Sequence, residues 1–205
     1  LFVKSVNDTA EQTIKLPAHA IDAQSGDSFA VAGQAIVEFL RQFPDEDLVC
    51  NYQKDKGALI MSSTLRKTRV ALVTGDPSDF IPINFIPVGK PFSVDAELLA
   101  KAFKSTSFAT ATDYAKMPYV AVKLRIEEDM LKAEATDEAR ISVFKVEIEN
   151  VGANSEFLLP RDTAESLSSM FDHVDTVEVQ PGQHHLRLIW EGTVFTSSLV
   201  SSPKP

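Results

Sequence analysis

The stretches VAGQAIVEFLRQF (residues 31–43) and LPRDTAESLSSMF (residues 159–171) decide the fold, because one helical pattern occurs in both, 128 positions apart. A strand-like segment precedes each predicted helix and three more follow it. In the first copy these strands are predicted at residues 1–6, 48–52, 58–62 and 68–74. In the second copy they are predicted at residues 131–136, 177–180, 186–190 and 193–200. Repeated strand–helix–strand–strand–strand units predict a modular α+β protein.

Helices are predicted where apolar residues recur at helical spacing. They are expected at residues 33–43, 95–108 and 161–171. Asp95 is a candidate N-cap of the second helix, and Pro160 stands just before the third, where its missing N–H is tolerated.

The division of the chain follows from a proline-rich segment with few charges, which predicts an extended linker. We predict a first domain at residues 1–85, a linker at 86–91 and a second domain at 92–205. The first domain shows only half of the pattern of the second, for which two helices and seven or eight strands are expected. Because no Met opens the chain and both ends adjoin predicted strands, we expect a piece of a longer polypeptide.

Composition excludes some functions and favours others. A formal net charge of −9 excludes a uniformly basic protein that coats DNA, so any contact with nucleic acid requires a local basic face. No apolar run is long enough to cross a membrane, which predicts no membrane partner. The single cysteine, Cys50, cannot form an internal disulfide, and this favours a reduced cytoplasmic setting.

Motifs for catalysis or cofactor binding are missing from the sequence. It has no glycine-rich phosphate loop, no G-x-S-x-G and no H-E-x-x-H. His184 and His185 are adjacent, so they point to opposite faces of a strand, and no ligand stands beside them at metal-binding spacing. We therefore expect a protein that is not an enzyme and holds no cofactor and no metal.

Several segments resemble one family. ATDEARI at residues 135–141 resembles the ATDGHRL signature of bacterial sliding clamps, the beta subunits of DNA polymerase III. FLLPRDTAESL at 157–167 is similar to that family's VIVPRK segment, and FTSSLV at 195–200 to its FTSKLV strand. RVALVTGDPSDF at 69–80 resembles the segment that leads into its linker. The match follows the family's order and covers the second half of a clamp's first domain and nearly all of its second.

The resemblance implies a fold, a function and partners. The fold is the DNA-clamp fold, with helices on one face of antiparallel sheets. The function is that of a processivity factor, which encircles double-stranded DNA without sequence preference and tethers a replicative polymerase. The implied partners are DNA, polymerase and clamp-loader subunits that bind through short peptide motifs, and a second copy of the full-length chain in a homodimeric ring.

The resemblance also places residues that face DNA. Lys101 and Lys104 lie opposite the apolar stripe of the second predicted helix, Arg41 matches a basic position of the family, and Arg161 matches the Arg of VPRK. Contacts between these cations and phosphate should be weak and non-specific, because tight contacts would stop sliding. The third helix carries acids such as Asp162 where the family tends to carry basic residues.

A groove for partner peptides is implied at the ATDEARI segment. Carried over one by one, its residues are Val120, Thr136, Arg140 and Ile141. Glu138 and Ala139 stand where the family has Gly and His, so the preferred peptide stays open.

Two other functions remain open. A clamp-like protein-interaction module that no longer encircles DNA would fit the net charge of −9 and the acidic 161–171 helix. An enzyme would require a catalytic constellation that the sequence does not show.

Overall fold

The computed structural model describes residues 2–6, 10–15, 28–43, 46–149 and 154–201. Two compact units divide the chain, a smaller one at Ala18–Ile81 and a larger one formed by Leu1–Pro17 and Pro82–Pro205. In chain order the described elements are β1 (Phe2–Val6), β2 (Ala10–Lys15), β3 (Ala30–Val31), α1 (Gly33–Leu40), β4 (Leu48–Gln53), β5 (Ala58–Ser63), β6 (Arg69–Gly75), β7 (Phe92–Asp95), α2 (Ala96–Thr106), β8 (Ala121–Glu127), β9 (Met130–Thr136), β10 (Ile141–Glu147), β11 (Asn154–Pro160), α3 (Arg161–Met170), β12 (Thr176–Pro181), β13 (His185–Trp190) and β14 (Thr193–Ser198).

The smaller unit packs α1 against a four-stranded antiparallel sheet in the order β3-β6-β5-β4. Among the described residues of this unit, the buried side chains of its core are Phe39, Phe43, Leu59 and Met61. The helix ends at Leu40, three residues before the predicted end, because the amide of Phe43 donates to the carbonyl of Leu40 in a tight turn. This turn precedes Pro44, a residue that disfavours helical backbone at the position before it.

The larger unit contains two β-α-β-β-β repeats. The first repeat is β7-α2-β8-β9-β10 and the second is β11-α3-β12-β13-β14. Each repeat gives its first strand to the sheet of the other, since β7 pairs with β12 and β11 pairs with β8. Over residues 92–198, the part described with a gap at 150–153, two α-helices and eight strands are present, as the sequence predicts.

The strand that opens each repeat differs from the prediction. The structure opens the repeats with β3, β7 and β11, each of which leads into a helix within one residue. The sequence prediction chose residues 1–6 and 131–136 instead, because β3 has only two residues and shows no alternation of its own. Residues 131–136 belong to β9, the middle strand of the three that follow α2.

Both helices of the larger unit lie against one face of its antiparallel sheets. α2 contacts β7, β9 and β10, α3 contacts β8 and β11, and the two helices contact each other. Alternation in β8 shows why: Val122, Leu124 and Ile126 are buried toward the helices, whereas Lys123 and Arg125 lie on the other face. The predicted α+β fold class, with helices on one face of antiparallel sheets, is thereby confirmed.

The first two strands extend a sheet of the larger unit. β2 pairs antiparallel with both β1 and β14, which gives the six-stranded order β1-β2-β14-β13-β12-β7. The compact units thus place residues 2–6 and 10–15 with the larger unit, whereas the sequence places residues 1–6 in the first domain. The domain boundaries 1–85, 86–91 and 92–205 stay a prediction.

The proline-rich segment lies beside the turn between β12 and β13. The amide of Val88 donates to the carbonyl of Pro181 at 2.8 Å, and the amide of Gln183 donates to the carbonyl of Ile86 at 3.0 Å. The guanidinium of Arg187 lies 3.9 Å from the centroid of the Phe85 ring, within cation–π range. Backbone hydrogen bonds and one aromatic contact therefore hold this part of the linker.

Gly182 is expected to tolerate no side chain. A Cβ at this position would lie 2.6 Å from Cε2 of Phe85 and 2.7 Å from the carbonyl oxygen of His185. We expect Gly182→Ala to lower the free energy of unfolding by about 1–3 kcal/mol through overpacking. Urea unfolding measures it, with Gly33→Ala as the control because nothing lies within 4 Å of its added methyl group. Equal stability of Gly182→Ala and the parent would show that Phe85 is not held there.

Candidate DNA-facing surface and peptide-binding surface

Helix α2 presents two lysines to solvent. The helix begins where the carboxylate of Asp95 accepts the amide of Leu98 at 2.9 Å, which confirms the predicted N-cap. Phe103 is fully buried in the core of the larger unit. Lys101 and Lys104 are exposed, as expected for positions opposite the apolar stripe.

Carboxylates on the same helices partner two of the four predicted DNA-facing cations. Nζ of Lys101 lies 2.6 Å from Oε1 of Glu97, and Nε of Arg161 lies 2.8 Å from Oε1 of Glu165. Both pairs join positions i and i+4 at the surface, where such a pair contributes only about 0.3–0.5 kcal/mol. A phosphate can therefore compete with Glu97 or Glu165 at little cost.

The structure brings three of the predicted cations onto neighbouring helices. Lys101 and Lys104 lie on α2 and Arg161 opens α3, and these helices pack against each other. Arg41 belongs to the smaller unit, where it is exposed at the C-terminal end of α1. The negative end of the helix dipole favours a cation there. That all four residues face DNA stays a prediction.

A hydrogen bond between a loop and α3 is absent from the sequence prediction. Oη of Tyr114 donates to Oδ2 of Asp162 at 3.1 Å. The hydrogen bond raises the pKa of Tyr114, and so does the negative charge of Asp162, which disfavours a tyrosinate beside it. The two residues are 48 positions apart, and no local pattern connects them.

Titration can test this hydrogen bond. Since the pKa of Tyr114 is raised in the folded state, the bond stabilises the fold below the ordinary tyrosine pKa of about 10. This stabilisation is lost as the pH rises through the raised pKa. We expect Asp162→Asn to lower the pKa of Tyr114, measured by tyrosinate absorbance, with Tyr114→Phe to assign the signal. An unchanged titration in Asp162→Asn would contradict the assignment.

The turn between β9 and β10 is closed by its own side chains. Oγ1 of Thr136 accepts the amide of Glu138 at 3.1 Å and donates to the carbonyl of Arg140 at 2.8 Å. The carboxylate of Asp137 accepts the amides of Ala139 and Arg140 at 3.1 and 3.0 Å. Partial burial alone would raise the pKa of Asp137, but these amides and the guanidinium of Arg140 together lower it. The side chains of Thr136 and Asp137 therefore hold the backbone of the turn in one conformation.

Glu138 occupies a backbone conformation that glycine adopts readily. Its φ is +78°, in the left-handed region, which costs a residue with a Cβ about 1–2 kcal/mol. The family signature has Gly at this position. Oε2 of Glu138 lies 3.2 Å from Nζ of Lys116, on the loop before β8.

Exposed apolar side chains surround this turn. Ile141 is 75% exposed, and the ring centroid of the exposed Phe108 lies 5.9 Å from the guanidinium of Arg140. We call the turn surface the exposed residues Phe108 and Ile141 together with Met117 and Tyr119, which lie on the segment that Lys116 joins to Glu138. Clustered apolar exposure of this kind marks interaction sites.

Of the four predicted groove residues, the structure exposes two and buries one. Ile141 and Arg140 are exposed, and Thr136 is half-buried. Val120 is only 3% exposed, because it precedes β8 beneath the loop and its carbonyl accepts the amide of Arg161 at 2.9 Å. A peptide would reach Val120 only if the residues that cover it moved. Its place in the site stays a prediction.

The described part of the chain shows neither a metal-binding cluster nor a membrane-spanning helix. There, no three His, Cys, Asp or Glu residues are grouped so as to hold a metal ion. Among the helices of the same described residues, none is both long and apolar enough to cross a membrane.

Comparison with known families places the larger unit. Residues 93–205, from β7 to beyond β14, match the family model described as "DNA polymerase III beta subunit, central domain". The chain belongs to this family. Lys101, Lys104, Arg161 and the whole turn at 136–140 lie within the matched range.

Curated relatives extend the match. The chain is 23% identical over 180 residues to the beta sliding clamp of Haemophilus influenzae, covering 87% of this chain and 48% of that protein. It is 22% identical over 153 residues to the beta sliding clamp of Staphylococcus aureus, covering 74% and 40%. The chain thus spans about half the length of the curated relatives it matches.

Solved structures agree on the fold. The beta subunit of DNA polymerase III from Thermotoga maritima superposes with a TM-score of 0.88 at 21% identity, over 100% of this chain and 54% of that one. The sliding clamp of Pseudomonas aeruginosa bound to griselimycin superposes with a TM-score of 0.85 at 21% identity, over 100% and 55%. At this identity the likeness shows the fold.

Proposed function

We propose that this chain is part of a DNA sliding clamp, a processivity factor that tethers a replicative DNA polymerase to duplex DNA. The observation that carries the proposal is the central-domain fold with Lys101, Lys104 and Arg161 on two helices packed side by side. Helices held on one face of the sheets form a stiff support on which cations can meet phosphate along the duplex.

The electrostatics suit sliding. A clamp must attract the duplex without stopping on it, so each contact should be weak and independent of base sequence. The cations of α2 and α3 meet this requirement, because Lys101 and Arg161 are already partnered by Glu97 and Glu165. Such a protein acts by encircling the duplex and needs no catalytic group. We therefore propose a non-catalytic role in the cytoplasm.

The proposed assembly is a homodimeric ring of the full-length protein. Because this chain spans only about half the length of its curated relatives, the ring would require further chain. Its partners would be duplex DNA, a replicative polymerase and the subunits of a clamp loader. The last two would bind through short peptides at the turn surface.

Charge reversal tests the DNA-facing surface. In the assembled protein, Arg41, Lys101, Lys104 and Arg161 are changed together to Glu. This variant should lose the gain that the parent gives to the polymerase, namely the increase in the length of primer-extension products, because attraction to phosphate becomes repulsion. The gain given by the parent should fall steeply with salt and be independent of DNA sequence.

The matched control changes four other exposed cations by the same charge. These are Lys56, Lys67, Lys90 and Lys145. We expect this variant to extend primers as the parent does. Parental processivity in the first variant would refute the placement of the DNA-facing surface, and equal loss in both would point to net charge alone. A parent that binds peptides without any gain in processivity would indicate an interaction module.

The turn surface is proposed to capture short peptides with aliphatic and aromatic anchors. Burial of one or two such side chains at ~25 cal/mol per Å² contributes about 2–5 kcal/mol before ordering costs. Affinity for an isolated peptide should therefore be micromolar.

Ile141→Asp tests this surface. Ile141 is 75% exposed, so the change should leave the fold intact and lower peptide affinity at least tenfold by placing a charge among the anchors. Val73→Asp is the matched control, since Val73 is an 85% exposed apolar residue of the smaller unit. Binding isotherms and melting curves are measured together. A folded Ile141→Asp variant with parental affinity would locate the groove elsewhere.

A further inference from the structure

An ion pair lies beside the turn surface. Nζ of Lys116 is 3.2 Å from Oε2 of Glu138, and the two side chains are 48% and 57% exposed. The pair joins the short helical turn Tyr114–Lys116 to the β9–β10 turn. Any peptide that buries Ile141 must pass close to these two charges, because Glu138 lies in the turn three positions before Ile141, the first residue of β10.

Charged side chains stand close to the turn surface. Two bases, Lys116 and Arg140, are each partnered by a carboxylate, Glu138 at 3.2 Å and Asp137 at 2.9 Å. Asp113 adds a further acid, whose carboxylate accepts the amide of Ala115. Charges of both signs therefore flank the exposed apolar residues, and the carboxylate of Glu138 is one of them.

The backbone of the turn fixes where the Glu138 carboxylate can go. Oγ1 of Thr136 accepts the amide of Glu138, and Asp137 accepts the two amides that follow it. A left-handed backbone at φ +78° is thus held on both sides. The Glu138 side chain departs from a rigid point, whereas glycine there would present no charge.

We infer that Glu138 makes the turn surface selective for peptides that carry a cationic residue next to their apolar anchors. This rests on the proposed function, in which the turn surface binds peptides. A Lys or Arg of the peptide shares the Glu138 carboxylate with Lys116, since an ionised carboxylate accepts several hydrogen bonds. An acidic residue of the peptide can also accept a hydrogen bond from the ammonium of Lys116, but its charge is then repelled by Glu138 and by its neighbour in the turn, Asp137.

Three labelled peptides test the inference against the full chain. They share the same aliphatic and aromatic anchors and differ in one flanking residue, Lys, Gln or Glu. Fluorescence anisotropy should show the order Lys, Gln, Glu from tightest to weakest, with about threefold between the extremes at low salt and less at high salt, as for an exposed ion pair.

Variants of the chain assign the preference to one carboxylate. Glu138→Lys should reverse the order, and Glu138→Gly should remove the preference. Glu127→Lys makes the same charge change at the last residue of β8, at the β8–β9 hairpin, and should keep the parental order. In Glu138→Lys, a residue with a Cβ still occupies the left-handed backbone conformation, so the backbone strain is that of the parent. Circular dichroism verifies that the variant is folded.

The outcomes separate the inference from the proposed function. If the parent binds none of the peptides, the turn surface is not a peptide site and both fail. If the parent binds all three equally, or if Glu138→Lys leaves the order unchanged, only the selectivity fails. Reversal by Glu127→Lys as well would show a long-range charge effect and would also overturn the role of Glu138.

Discussion

The exchange of first strands between the two repeats is the constraint on which the larger unit depends. Because β7 completes the sheet of β12–β14 and β11 completes the sheet of β8–β10, neither repeat can satisfy its backbone hydrogen bonds alone. Each exchanged strand leads straight into its helix, so the exchange also sets α2 and α3 side by side. The pairing of β7 with β12 and of β11 with β8 therefore determines the position of the surface that carries the cations.

Paired charge is a general property of this acidic chain. The outward face of β8–β11 is a lattice of cross-strand pairs, with Arg125 and Lys123 both bound to Glu156. On the helices, Lys101 pairs with Glu97 and Arg161 pairs with Glu165, so a neighbouring carboxylate offsets the positive charge of each of these two cations. A net charge of −9 is thus compatible with transient contact to phosphate at one face.

The sequence predicted the elements better than their partners. Apolar stripes located all three helices to within a few residues, since periodicity is a local property. β2 escaped prediction because AEQTIK has few apolar residues, and its strand structure comes from pairing with β14. The family signature indicated candidate groove residues at 136–141, but neither the burial of Val120 nor the contact of Tyr114 with Asp162 is visible in it. These depend on how distant loops pack, which a single sequence does not encode locally.

The strand exchange also affects synthesis of the chain. Val94 of β7 pairs with Val177 of β12, so the first strand leaves the ribosome 83 residues before its partner exists. β2 waits longer still, since Ile14 pairs with Thr193. Until the second repeat emerges, the nascent chain exposes unpaired strand edges and the apolar face of α2. The sheets of the larger unit can therefore be completed only after β12–β14 have been synthesised, and a chain truncated before β12 would leave β7 and β2 without the strands they pair with.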